Sequence, residues 1–194
     1  MVPAKGNLET WRLFLAVEPP FELKQALLAL AKDFPLSAAA LKWTAPQNLH
    51  LTLHFIGAWP VPGLPALLAG LEQISFKAFP LELQGLGLFK PKQQTVLWAG
   101  IIPSLPLQAL RGEIVQTLKT AGAVSQAPGR YTPHITLARV KKTDLSLARE
   151  LACLKVQKQG QNFGKFTVSA FSLFKSELRP QGPLYTCLRN FAAN

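Results

Sequence analysis

The sequence predicts a duplicated chain of helices and strands, folded as two related lobes that face each other across a cleft. Two observations carry this expectation. Strand-like and helix-like stretches alternate from one end to the other. The same series then occurs twice, since Trp11 to His50 and Thr95 to His134 both span 39 residues. A shift of 84 lays TVLWAGI (95–101) on WRLFLAV (11–17) and HITLAR (134–139) on HLTLHF (50–55). A shift of 85 lays FTVSAFSLF (166–174) on LELQGLGLF (81–89). A repeat this long implies two lobes about a pseudo-twofold axis rather than a solenoid, whose repeats are shorter and more numerous. One domain over residues 1–194 is expected, with approximate halves 11–89 and 95–174 and a further strand over 184–191.

The elements follow in order. Trp11–Val17 reads as a strand stopped by Pro19-Pro20, and Phe21–Lys32 as a helix with Leu23, Ala26, Leu27, Leu30 and Ala31 at helical spacing. His50–Ile56 is a strand that Gly57 should end, and Leu64–Ile74 a helix introduced by Pro62-Gly63. Leu81–Phe89 is the third strand. The second series runs from strand Thr95–Ile101 to a helix near Leu105–Lys119 and a strand at His134–Arg139. A helix to Leu154, capped by Asp144, and a strand at Phe166–Phe174 complete it. Tyr185–Phe191 is an additional strand, and Pro60–Pro65 and Lys90–Gln94 are loops.

Composition narrows the class. Of 194 residues, 48% are hydrophobic and 16% charged, which supplies a core and excludes a disordered chain. The net charge of +11 favours a polyanionic partner through attraction and counterion release. Its lysines include small clusters at Lys90–Lys92, Lys141–Lys142 and Lys155–Lys158. Cys153 and Cys187 sit in apolar company and form no CxxC, so they read as buried free thiols suited to a reducing cytosol. The apolar run Leu13–Val17 is too short for a signal-peptide core or a membrane span. A soluble cytoplasmic protein is expected.

The chemistry sits in two His-x-Thr motifs at equivalent positions of the repeat, using two of only three histidines. Side chains alternate faces along a strand. His50, Thr52 and His54 then share one face while Leu51, Leu53 and Phe55 share the other. His134 and Thr136 likewise stand opposite Ile135 and Leu137. Imidazole titrates near neutrality, so two facing histidines can shuttle protons across an in-line displacement at phosphorus. The threonine hydroxyls can donate to the non-bridging oxygens as charge builds there. No serine nucleophile elbow, Walker loop or HExxH helix competes. A metal held by His50, His54 and His134 is an alternative, weakened because no acidic residue or cysteine lies near either motif in sequence. A non-catalytic RNA- or nucleotide-binding protein and a phosphodiesterase for small cyclic nucleotides are the others.

WRLFLAV (11–17), KWTAPQNLHLTLHFIG (42–57), VLWAGI (96–101), YTPHITLAR (131–139) and FSLFKSELRPQGPLYTCL (171–188) resemble the two-histidine phosphoesterase superfamily. Within it they resemble the RNA 2′,3′-cyclic phosphodiesterases, historically called 2′-5′ RNA ligases. The resemblance implies an α+β fold of two lobes, each an antiparallel sheet with flanking helices, around a central cleft. It also implies metal-independent, cofactor-free opening of a 2′,3′-cyclic phosphate to a 2′-phosphate, with reversible 2′-5′ ligation as a secondary activity. The implied partner is RNA with such an end, tRNA fragments included, met by a monomer away from membranes. By position, His50 matches the family's proton donor and His134 its proton acceptor. Thr52 and Thr136 match phosphate-oxygen ligands, Arg139 a phosphate-neutralising arginine, and Tyr131 an aromatic that can stack on a terminal base. Simple parity puts Arg139 on the face opposite His134 and Thr136, so it needs a bend or a strand end to reach the cleft.

Overall fold

The computed structural model describes residues 8–33, 41–89, 94–123, 131–140 and 145–194. The Lys90–Lys92 and Lys141–Lys142 clusters and the expected Asp144 cap lie outside the described residues. Strands are β1 (Thr10–Val17), β2 (Lys42–Trp43), β3 (Leu51–Pro60), β4 (Phe79–Phe89), β5 (Thr95–Ile101), β6 (His134–Val140), β7 (Asn162–Val168), β8 (Ala170–Arg179) and β9 (Gly182–Ala192). Helices are α1 (Phe21–Ala29), α2 (Leu64–Glu72), α3 (Leu105–Thr120) and α4 (Leu145–Gln157).

The helices form where the apolar spacing asks for them. In α3, Leu107, Leu110, Ile114 and Leu118 recur every three or four residues and are buried together. Its start is set by Ser104, whose hydroxyl accepts from the Leu107 N–H at 3.3 Å. All four helices place leucines in one large core beneath the sheet, with Leu13, Leu15, Val17, Leu51, Leu53, Leu97 and Ile135 pointing down from the strands. A second, small cluster of Phe14, Ala16 and Phe174, with Tyr185 packed on it, occupies the opposite face of β1 and β8. Among the described residues, no helix is long and apolar enough to cross a membrane.

All strand pairings are antiparallel, in the order β7-β4-β5-β6-β3-β1-β8-β9 with β2 on β6. The order is a palindrome about the β6–β3 junction, where the single pair Leu51–Ile135 joins two four-stranded sheets. β3-β1-β8-β9 is one lobe and β6-β5-β4-β7 the other. The lobes are therefore not the contiguous halves of the repeat. β4, from the first half, lies beside β5, and β8, from the second, lies beside β1.

Three local expectations need correction. Gly57 does not end its strand: at φ +84° it takes a conformation most residues avoid, and β3 bends there and runs on to Pro60. Phe166–Phe174 is not one strand, because it breaks at Ser169 and sends β7 to β4 and β8 to β1. The repeat is also less regular than its 39-residue spacing suggests. Val17 stands opposite Leu51 whereas Ala99 stands opposite Ile135, so β1 and β5 correspond at an offset of 82, not 84. The offset of 85 between β4 and β8 agrees with the register, with Phe89 opposite Val96 and Phe174 opposite Phe14.

Candidate active site

The β3–β6 junction brings the two motifs together. Leu51 and Ile135 are fully buried beneath the sheet, so their neighbours in sequence face the other way. In the register of that pair, His50 stands opposite Thr136 and Thr52 opposite His134. Two imidazoles and two hydroxyls thus meet on one face at the pseudo-twofold axis.

Each imidazole is oriented by the backbone. The Nδ1–H of His50 donates to the carbonyl of Asn48 at 2.8 Å, and that of His134 to the carbonyl of Thr132 at 2.7 Å. This assigns Nε2 of both rings as the nitrogen free to exchange protons. The Thr52 hydroxyl lies 3.0 Å from His50 Nε2 and donates to it when the ring is neutral. Aromatic rings hold each histidine: Phe14 and Tyr185 at 5.0 and 5.4 Å from His50, Phe89 and Trp98 at 4.9 and 5.8 Å from His134. Burial among these rings lowers the His50 pKa to about 4 and pushes His134 down as well. Opposing this, the Asn48 and Thr132 carbonyls favour the protonated rings.

Bulges decide which further residues join the site. In β6 the register passes from Thr136 opposite Trp98 to Ala138 opposite Leu97, leaving Leu137 as an extra residue. The extra residue reverses strand parity. Arg139 returns to the face of His134 and Thr136, which resolves the conflict that simple alternation raised. Its charge acts on both His134 and Tyr185, residues of opposite lobes. In β3 the extra residue is Leu53, between Thr52 opposite Ala16 and His54 opposite Leu15. The same reversal turns His54 away from His50, toward Arg111 of α3. The expected sharing of one face by His50, Thr52 and His54 therefore fails. Phe55 takes the place instead, opposite Phe14 and 61% exposed. Sequence reasoning missed Phe55, since strict alternation buries it.

A bulge also leaves backbone groups unpaired, and these find partners. Arg111 Nε donates to the Leu53 carbonyl at 3.1 Å, and the Tyr131 hydroxyl to the Thr52 carbonyl at 3.0 Å. The Arg111 guanidinium covers one face of the Tyr131 ring at 4.2 Å, and burial pushes the phenol up to about 12. Tyr131 thereby tethers the approach to the second motif to the strand of the first. Asn48 Nδ2 donates to the Pro183 carbonyl at 3.0 Å and Lys42 Nζ to that of Gln181 at 3.4 Å, strapping the β8–β9 turn to the approach to the first motif. Trp43 is half-buried against the core and Lys42 is exposed. Cys153 and Cys187 are free as expected but exposed rather than buried. Among the described residues, no three His, Cys, Asp or Glu side chains gather as metal ligands would.

The site can be set against known proteins. The family model described as the 2'-5' RNA ligase superfamily matches residues 19–179. An RNA 2',3'-cyclic phosphodiesterase of Thermus thermophilus is 34% identical, the match covering 93% of this chain and 89% of that protein. One from Aeropyrum pernix is 33% identical over 84% and 92% of the two chains. Among solved structures, E. coli LigT in its apo form superposes with a TM-score of 0.79 at 27% identity, covering 96% of this chain and 99% of LigT.

Proposed function

The chain belongs to the 2'-5' RNA ligase superfamily and, within it, to the RNA 2',3'-cyclic phosphodiesterases, and on that footing we propose that it hydrolyses RNA 2′,3′-cyclic phosphate ends to 2′-phosphates without a metal. The observation that carries this reading is the pair of imidazoles at one junction, each held by its Nδ1–H on a backbone carbonyl so that Nε2 is the nitrogen turned to proton exchange. Water attacks phosphorus in line with the P–O3′ bond. His134 Nε2 takes the proton that water loses as the new P–O bond forms. His50 Nε2 gives its proton to O3′ as that bond breaks, leaving a 2′-phosphate and a 3′-hydroxyl. Thr52 and Thr136 donate to the non-bridging oxygens, and Arg139 offsets their charge.

Both histidines are hard to protonate in the free protein, and an anionic phosphodiester between them reverses that bias. Substrate binding therefore draws onto His50 the proton it will donate. The exposed ring of Phe55 offers a surface for a terminal base, beside the face of Tyr131 that Arg111 leaves uncovered. The net charge of +11 suits a longer RNA, such as a tRNA fragment, bound by a cytoplasmic monomer. With a 5′-hydroxyl in place of water, the same proton transfers join a 2′-5′ bond, and the abundance of water makes hydrolysis dominant.

The test is a product assay on RNA with a 2′,3′-cyclic phosphate end in excess EDTA. Turnover to 2′-phosphate is expected, with at least a thousandfold loss in His50→Ala and in His134→Ala, about the scale of lost general acid–base catalysis. A 3′-phosphate product, activity only with added divalent metal, or full activity in either variant would overturn the reading.

A further inference from the structure

β6 carries two successive pairs of outward-facing polar groups. In the first, Thr136 stands opposite His50 in the register of Leu51 and Ile135. β3 then leaves β6, and β2 takes its place, with Lys42 opposite Arg139 and Trp43 opposite Ala138. The Thr44 N–H donates to the Leu137 carbonyl at 2.8 Å, which pins β2 at the bulge. Leu137, Ala138 and Val140 belong to the core beneath the sheet, so Arg139 is the next outward side chain after Thr136. Lys42 shares its face for two reasons. Directly opposed residues of paired strands stand on one side of a sheet, and the neighbours Leu41 and Trp43 both pack on the core. On β5 the step from the first pair to the second is the two residues from Trp98 to Val96, about 7 Å of strand. That is comparable with the step from one phosphorus to the next along a nucleic-acid strand.

We propose that Lys42, with Arg139 beside it, forms a second phosphate subsite that holds the phosphodiester one nucleotide upstream of the cyclic phosphate, so that the site selects an oligonucleotide over a cyclic nucleoside. The inference deepens the hydrolytic function proposed above and rests on it. Both cations are exposed, and among the described residues no carboxylate pairs with either. Lys42 Nζ donates to the Gln181 carbonyl at 3.4 Å, a neutral acceptor that steadies the side chain without cancelling its charge. The direction of the RNA fits as well. In the displacement proposed above O3′ leaves toward His50, and the RNA continues from that same ribose through its 5′ oxygen. The next phosphate thus lies on the His50 side, where β2 carries Lys42. Arg139 offsets the charge of the cyclic phosphate, and Lys42 extends the positive charge one position further. A compact ammonium on a flexible stem can follow a phosphate that is not held rigidly.

The experiment compares a nucleoside 2′,3′-cyclic phosphate, its 5′-phosphorylated form and a dinucleotide ending in the same cyclic phosphate. Each is measured with wild type, Lys42→Gln and Lys42→Arg. In wild type kcat/KM should be higher for the two substrates that carry a 5′ phosphate. That preference should fall about fivefold in Lys42→Gln, the upper end for an exposed charge pair, and survive largely in Lys42→Arg. Dinucleotide binding should also lose salt dependence in Lys42→Gln, its logarithmic slope flattening by about 0.7. An equal loss on all three substrates would mean that Lys42 only straps the β8–β9 turn, and would overturn the inference. So would an undiminished preference in Lys42→Gln. If the wild type turned over no cyclic phosphate, the hydrolytic function would fail. Calorimetric binding of adenosine 2′-phosphate against adenosine 2′,5′-bisphosphate would then decide on Lys42 by itself. Tighter binding of the bisphosphate that disappears in Lys42→Gln would uphold the subsite, and equal binding of the two by wild type would overturn it.

Discussion

His50 and His134 illustrate how environment, more than identity, sets what a residue does. Each gives its Nδ1–H to a carbonyl two residues earlier, so the tautomer is fixed within the motif itself. What surrounds each ring comes from distant strands. His50 also carries a consequence for stability. Its pKa is lowered to about 4 in the folded protein against about 6.5 when unfolded. Between those values the unfolded chain binds more protons, so stability rises with pH there and is lost as pH falls from about 6.5 through about 4. The loss should be about 1–3 kcal/mol, the lower figure allowing for the part of the ring that water reaches. Denaturant unfolding at pH 7 and pH 5 should show it in the wild type, and His50→Gln should be markedly less sensitive. Equal sensitivity in the variant would mean that other groups dominate the acid response.

At the scale of the element, single extra residues redirect whole faces. Leu137 brings Arg139 to the site, and Leu53 removes His54 from it and admits Phe55. The motifs themselves were legible because His and Thr two apart share a face in any straight strand. Arg139, Phe55 and His54 lie beyond the bulges, and alternation fails for all three. A bulge has no dependable signature in Leu-rich sequence; it is settled by pairing with β1 and β5 and by Arg111 and Tyr131 reaching the freed carbonyls. Glycine marks another such constraint. A Cβ on Gly87 of β4 would overlap the indole of Trp98, the ring that packs on His134. Gly87→Ala should therefore destabilise the protein by about 2 kcal/mol, a usual cost of overpacking. The cost should shrink in a Trp98→Ala background, and an additive double-mutant cycle would argue against the clash.

For the whole molecule, the decisive feature is the exchange of closing strands between the halves. β1 needs β8 as its outer neighbour, and β5 needs β4. Neither contiguous half carries a complete sheet. A fragment of residues 1–89 should lack a cooperative denaturant transition, as should 94–194 alone, and co-expression of the two should restore both folding and turnover. A sigmoidal transition in either fragment by itself would show that half a repeat suffices.

The sequence by itself determined the alternation of helices and strands, the duplication, the pair of His-x-Thr motifs and the basic charge. These follow from local periodicity and composition, which each segment carries whatever it packs against. Only the tertiary structure decided which strands share a lobe, where registers slip, and which charges flank each histidine. Those depend on pairings between segments far apart in the chain, where one extra residue reverses every side chain beyond it. The near-symmetry that made the motifs readable therefore conceals what differs between them: the rings of Phe14 and Tyr185 around His50, and those of Phe89 and Trp98 with the charge of Arg139 around His134.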